Sequence, residues 1–131
     1  MSQFITELDV YLKPERDDAI WVLDKPLVYY SSLLKSTLNV PVGFETDLSS
    51  VPRVPFIYSA WGGRAHREGV IHDYLFRTDS FPSVSFSMAN KVFLEAMEVR
   101  GKPRRIRWPM FLGVVCGGWW SYHKRLVGDK L

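Results

Sequence analysis

The sequence is poor in cysteine, and this scarcity excludes two kinds of stabilising site. Cys116 is the only cysteine, so the chain can form neither an internal disulfide nor a multi-cysteine zinc site. It lies in the apolar run FLGVVCGGWW, residues 111–120, where a buried and unreactive thiol is expected. The fold must therefore be held together by its core. A single cysteine does not indicate whether the protein resides in an oxidising or a reducing compartment.

The sequence also shows neither a long hydrophobic segment nor the pattern that is typical of a secretory leader. The charge-free run from Trp108 to Tyr122 has fifteen residues, whereas a helix needs about 20 apolar residues to cross a bilayer. We therefore expect a core helix there and no transmembrane span. The N-terminus, MSQFITELDVYLK, lacks a basic segment followed by an apolar run and a small-residue cleavage site. No secretory signal is predicted, and a cytoplasm is the expected place of synthesis.

Negative charge is scarce in the last third of the chain. From Arg100 onward Asp129 is the only acidic residue, and it is outnumbered by eight basic ones: Arg100, Lys102, Arg104, Arg105, Arg107, Lys124, Arg125 and Lys130. A basic end of this kind suits phosphate groups, a solvated rim or an acidic partner subunit. Because no aromatic and basic repeat or reader motif accompanies the charges, nucleic acid is disfavoured as a partner.

Apolar and aromatic residues, by contrast, are abundant. Of the 131 residues, 47% are hydrophobic and 15% are aromatic. This composition supplies enough apolar area for one sizeable core and argues against disorder. The sequence contains no interdomain linker, internal repeat or low-complexity tract. We therefore expect a single domain that covers residues 1–131.

The first half of the chain has the composition of β-structure. Residues 19–23 (AIWVL) and 26–32 (PLVYYSS) are rich in β-branched and aromatic residues, and the turn-forming segment between them predicts a hairpin. Residues 36–44 (STLNVPVGF) are a further extended segment. They contain Pro41, which cannot donate to a ladder and so indicates an edge or bulged strand. Residues 45–56 (ETDLSSVPRVPF) predict an ordered loop.

Helical periodicity begins at residue 64. In RAHREGVIHDYLFR, residues 64–77, one apolar face is formed by Val70, Ile71, Tyr74 and Leu75. At about 100° per residue, His66 and Asp73 lie on one flank of this face, while Glu68 and His72 lie on the other. The polar flanks therefore border the core instead of facing away from it.

Two more helices are predicted, which together with the strands indicate an α+β fold. One runs from Ser87 to Arg100, with Gly101 at its stop. The last spans about Trp108 to Leu126, with Pro109 in its first turn and an apolar stripe at Phe111, Val115, Trp119, Tyr122 and Leu126. We expect an N-terminal antiparallel sheet packed on three helices. The last helix should pack inside the domain or against a neighbouring subunit, with its basic residues at two solvated ends.

Three polar groups lie where the surrounding sequence is apolar or conformationally fixed: Asp47, His66 and the His72–Asp73 pair. Taken alone, each has an ordinary structural explanation. Asp47 can form an Asx-turn or a helix cap, and a histidine beside a core face is usually hydrogen-bonded. Taken together, a neutral imidazole and carboxylates at the rim of a core suit a divalent ion or a base with its orienting partner.

Two enzyme patterns match this constellation in part. Metal-dependent phosphohydrolases of the HD type also have adjacent His and Asp, as at His72 and Asp73, but this chain has Asn90 on the later helix and no histidine well upstream. The spacing from His66 to Asp73 resembles that of the zinc ligands in D-Ala-D-Ala dipeptidases and carboxypeptidases. Arg64 stands at the position of the serine of those enzymes, and the helical setting differs.

A resemblance that covers most of the chain lies in three segments: VGFETDLSSVPR (residues 42–53), AHREGVIHDYLF (65–76) and SMANKVFLEAMEVRG (87–101). They resemble small uncharacterised tailed-phage and prophage proteins with a G-F-x-T-D-x-A/S-S-V/I-P segment, an H-D-Y/W-L-Y/F segment and a helix beginning with Ala-Asp. This implies a phage origin, synthesis in the host cytoplasm and a shared site at Asp47, His72 and Asp73. It implies no particular reaction. Asn90 departs from the usual Asp, and an uncharged amide would weaken a metal site there.

The sequence supports two functional hypotheses. In the first, Asp47, His72 and Asp73 hold a divalent ion such as zinc or polarise water, and His66 is a further ligand or proton carrier. The protein would then hydrolyse peptide or amide bonds of the host envelope. In the second, the protein is a non-catalytic virion or tail component that contacts other phage structural proteins, and the same residues form a buried hydrogen-bond cluster. Both hypotheses require Asp47 to meet the His72–Asp73 pair.

Overall fold

The computed structural model describes residues 2–12, 20–46, 67–117, 122–123 and 125–130. In this part of the chain, strands precede helices. The strands are β1 (Gln3–Phe4), β2 (Val10–Leu12), β3 (Trp21–Leu23), β4 (Leu27–Ser31), β5 (Ser36–Val40) and β6 (Glu45–Thr46). The helices are α1 (Arg67–Leu75), α2 (Phe86–Val99) and α3 (Arg104–Gly117). The predicted α+β fold class is confirmed.

The described strands form two small antiparallel sheets instead of one. The first has the order β1-β4-β5 and the second the order β2-β3-β6. In β4, Leu27, Tyr29 and Ser31 are buried while the residues between them are only partly buried, as the two-residue period of a strand requires. Among the described strands, β5 is at the edge of its sheet, and it ends directly before Pro41. The prediction of an edge strand is therefore confirmed.

The predicted hairpin between residues 19–23 and 26–32 is wrong. The two strands found there, β3 and β4, are consecutive along the chain but belong to different sheets. The backbone of Leu23 bonds instead to a distant segment, since its carbonyl accepts from the Gly43 amide at 2.8 Å. The hairpin in this region joins β4 to β5. Local composition identified the strands but could not reveal these long-range partners.

Helix α1 is buried on all sides. The predicted apolar face of Val70, Ile71, Tyr74 and Leu75 is confirmed, because all four side chains belong to the main core. The other residues from Glu68 onward are buried as well, including His72 and Asp73. Polar side chains in such a helix cannot reach bulk water and must find partners within the protein.

Helix α2 lies close to its predicted bounds. Its N-cap is Ser85, whose hydroxyl accepts from the Met88 amide at 3.1 Å. It ends just before Gly101, whose φ of 76° is the left-handed conformation that terminates many helices. The helix contacts both α1 and α3, and its buried stripe consists of Ala89, Val92, Phe93, Ala96 and Met97.

Helix α3 differs from the prediction in both its span and its buried face. It begins at Arg104 instead of Trp108, and the described residues Tyr122 and Leu126 are not helical. Its inward side chains pack on α2 and are those of Ile106, Met110 and Val114, and Phe111 of the predicted stripe is partly buried against them. Because the helix starts earlier, it includes Ile106, which lies on the same side of the helix as Met110 and Val114. These three side chains form an apolar stripe that can be buried. Trp119 lies outside the described residues.

The change of buried face also changes the surroundings of several other side chains. Val115, predicted to be in the stripe, is 38% exposed. Cys116 is exposed, so the expectation of a buried thiol is wrong. Arg104 and Arg105 are exposed, but they lie within the first turn of the helix instead of beyond its end. No helix in the described ranges is long and apolar enough to cross a membrane.

Candidate functional site

Helix α1 carries the adjacent residues His72 and Asp73 into the protein interior. Both are buried, with exposed fractions of 0% and 5%. Successive side chains on a helix point about 100° apart. The two side chains therefore meet different parts of the protein, and the pair is divided between two clusters.

The first cluster joins His72 to helix α2. Its Nε2 atom is 2.8 Å from Oδ1 of Asn90. The imidazole ring also packs on the rings of Phe76 and Phe93, at centroid distances of 4.1 and 4.7 Å. Because an amide oxygen only accepts, Nε2 carries the proton in this hydrogen bond. A metal ion requires the lone pair of an unprotonated ring nitrogen, so in this tautomer Nε2 is withheld from coordination and only Nδ1 could serve as a ligand.

The protonation of His72 follows from its surroundings. Burial lowers the pKa of His72 from 6.5 to about 4, while the weaker effect of the hydrogen bond to Asn90 acts in the opposite direction. The ring is therefore neutral at pH 7. A neutral ring can donate one hydrogen bond to Asn90 and pack between aromatic rings without the cost of a buried charge.

The second cluster is centred on Arg77, which is 1% exposed. Its Nη2 atom lies 3.2 Å from Oδ2 of Asp73 and 2.8 Å from the carbonyl oxygen of Glu45 in β6. Nη1 donates to the carbonyl oxygen of Leu126 at 2.9 Å. The guanidinium also lies over the ring of Phe44, 4.6 Å from its centroid. Arg77 thus joins α1, the second sheet and the C-terminal segment.

A third polar side chain of α1, Glu68, faces the turn that follows α2. It is 0% exposed, and its carboxylate oxygens lie 3.8 Å from both Arg100 Nε and Lys102 Nζ. These distances allow attraction between the charges but are too long for direct hydrogen bonds. Within the described part of the chain, neither oxygen of Glu68 has a hydrogen-bond partner. The contact ties α1 to the beginning of the basic segment.

Asp47 and His66, the other two predicted site residues, lie outside the described residues, so their meeting with the His72–Asp73 pair stays a prediction. Glu45 lies two positions before Asp47 and is described. Its carbonyl oxygen accepts a hydrogen bond from Arg77, the ion-pair partner of Asp73. The described ranges contain no group of three His, Cys, Asp or Glu side chains that could hold a metal ion.

Arg77 is the principal residue that sequence reasoning missed. It follows Asp73 by four positions, and this is the spacing at which opposite charges pair on a helix. That spacing could have indicated the ion pair. No local signal could have indicated that the partners of Glu68 would be Arg100 and Lys102, which lie about thirty residues further along the chain.

We expect the stability of the protein to fall in mild acid because of His72. Its pKa is about 4 in the folded protein, against 6.5 for an exposed histidine, so the unfolded chain binds a proton that the folded chain does not in this window. The contribution of His72 to the stability of the fold is complete above pH 6.5 and is lost as the pH falls towards 4. It amounts to about 3 kcal/mol in the free energy of unfolding, which urea titrations at stepped pH would measure.

The matched control for this prediction is His72→Gln, which keeps an amide donor for Asn90 but cannot titrate. Its free energy of unfolding should decline less steeply than that of the wild type over the same pH range. Parallel curves for the two proteins would show that His72 is not a buried neutral ring.

No curated protein and no solved structure matches the chain. One family, described as a protein of unknown function (DUF1353), matches residues 21–114. The matched segment extends from β3 into α3 and contains His72, Asp73, Arg77 and Asn90. Because the match covers most of the chain, the protein belongs to the DUF1353 family of proteins of unknown function.

Proposed function

We propose that this protein is a non-catalytic structural or assembly component of a tailed-phage or prophage particle. His72 and Asp73 would then organise its core. The observation that carries the proposal is the division of the pair, since His72 bonds to Asn90 while Asp73 pairs with Arg77. In a base with its orienting carboxylate, the carboxylate must instead accept a hydrogen bond from the second ring nitrogen of the base.

The burial of His72 also favours a structural role. Its ring has 0% exposure and lies against Phe76 and Phe93. A general base must come within about 2.6–3.2 Å of the proton it removes. With the proton on Nε2 the basic nitrogen is Nδ1, and a substrate could reach it only by opening the packing that leaves the ring 0% exposed. The hydrogen bond and the ring packing both support a role in joining α1 to α2.

The phage origin is supported by the sequence motifs of residues 43–105, which resemble those of small tailed-phage proteins. On this proposal the chain is made in the host cytoplasm and is then incorporated into the virion, where its partners are other structural proteins of the particle. A structural component needs a stable fold that presents fixed surfaces. The Arg77 cluster supplies such stability by joining three separate segments.

The alternative is a metal-assisted hydrolase that acts on peptide or amide bonds of the host envelope. It requires Asp47 and His66 to complete a ligand set with His72 and Asp73. The described donors fit a divalent ion such as zinc poorly. Nε2 of His72 donates to Asn90, which leaves Nδ1 as the only possible ligand atom of the ring, and the guanidinium of Arg77, 3.2 Å from the Asp73 carboxylate, would repel a second cation.

The two functions differ in expected metal content. Protein purified without chelator should contain no stoichiometric divalent metal by inductively coupled plasma mass spectrometry, and Asp47→Ala should not change this result. Asn90→Asp is the sharper variant, because it places a carboxylate 2.8 Å from His72 Nε2 and should raise the pKa of that ring without recruiting metal. Stoichiometric zinc that is lost in Asp47→Ala, or gained in Asn90→Asp, would favour the hydrolase.

The location in a particle is tested separately. Mass spectrometry of density-purified particles from the encoding phage or induced prophage should find the chain at a fixed copy number relative to the major tail proteins. A scaffold of comparable abundance that leaves the particle serves as the negative control. Abundant chain in the lysate together with none in the particles would contradict the proposal.

A further inference from the structure

The outward side of α3 is apolar although it faces solvent. Trp108, Leu112 and Val115 are 45%, 57% and 38% exposed, and their spacing of i, i+4 and i+7 places them on one stripe of the helix. We call these three side chains the outer stripe. They lie roughly opposite the buried side chains of Ile106 and Met110, so α3 presents apolar surface in two directions. Exposed apolar side chains that are grouped on one side of a helix indicate a contact site.

Positive charge accompanies the outer stripe. Arg104 and Arg105 are exposed and lie one turn before Trp108, within about 60° of it around the helix axis. The helix contains three arginines and no acidic residue, and in the sequence no acidic residue occurs between Glu98 and Asp129. Neither Arg104 nor Arg105 has an ion-pair partner among the described residues. The surface around the stripe is therefore basic.

We propose that the outer stripe docks on an anionic lipid surface, with α3 lying in the plane of the membrane interface. Interfacial helices combine large apolar side chains with Lys or Arg, and tryptophan favours the depth of the lipid headgroups. Arg104 and Arg105 would contact headgroup phosphates, while Leu112 and Val115 would enter the acyl boundary. The helix lies on the membrane and does not span it, since no described helix is long and apolar enough to do so.

The combination of charge and apolar surface favours lipid over other anionic partners. A nucleic acid would satisfy the two arginines but leave Leu112 and Val115 in water. A lipid surface accommodates both features at once, and positive charge selects anionic over zwitterionic headgroups. The inference does not depend on the proposed function, because it uses neither the His72 cluster nor the Arg77 cluster.

The test is co-sedimentation of the full chain with vesicles of phosphatidylcholine, either alone or mixed with phosphatidylglycerol. The chain should sediment with the mixed vesicles, should bind weakly to phosphatidylcholine alone, and should be released by high salt. Leu112→Ser and Arg105→Glu should each lower the partition coefficient about tenfold or more. Leu33→Ser, at an exposed leucine of the β4–β5 turn, and Lys91→Glu, at an exposed lysine of α2, are matched controls.

Several results would overturn the inference. These are equal binding to both kinds of vesicle, no binding to either, or equal losses in the α3 variants and their controls. Circular dichroism of each variant separates loss of binding from loss of fold. Sedimentation equilibrium without lipid tests the alternative, in which a second copy of the chain covers the outer stripe. If the wild type self-associates, does not bind vesicles, and becomes monomeric in Leu112→Ser, a second copy of the chain covers the stripe.

Discussion

The buried guanidinium of Arg77 is the interaction on which the rest of the structure depends. It is 1% exposed and is held by the Asp73 carboxylate together with the backbone carbonyls of Glu45 and Leu126. A buried cation is costly unless its donors meet acceptors and its charge is paired. These acceptors come from α1, β6 and the C-terminal segment, so they are available together only when the three segments hold their native positions. The cluster therefore favours one arrangement of sheets and helices over other compact ones.

Helix α1 is the centre of this arrangement because it is covered on all sides. Each of its buried polar side chains is met by a different element: Glu68 by the turn after α2, His72 by Asn90 within α2, and Asp73 by Arg77. Two of these contacts involve full charges and one involves a neutral ring. On the proposed structural role, these polar residues fix a buried helix on several sides.

Local signals predicted much of the fold. The α+β class, the apolar face of α1, the bounds of α2 and the edge position of β5 all follow from periodicity, capping residues and a proline. The buried face of α3 was not predictable in the same way. Ile106, Met110 and Val114 satisfy helical spacing, but so do Trp108, Leu112 and Val115, and only contact with α2 decides which stripe is buried. The prediction of strand pairing failed for a related reason, since β3 pairs with β2 and with the distant β6 instead of with β4.

The candidate site was predictable in its residues but not in its partners. The sequence indicated that His72 and Asp73 border the core, yet Arg77 was missed and the two side chains diverge. The central claim is that Asp73 and Arg77 form one structural unit. A double-mutant cycle measured by urea unfolding tests it most directly. Asp73→Asn and Arg77→Met should each lower the free energy of unfolding by about 3–5 kcal/mol, and the double variant should lose clearly less than their sum. An Asp73→Asn variant as stable as the wild type would contradict the claim. It would show that the Asp73 carboxylate is not needed for folding and would favour a chemical role for it.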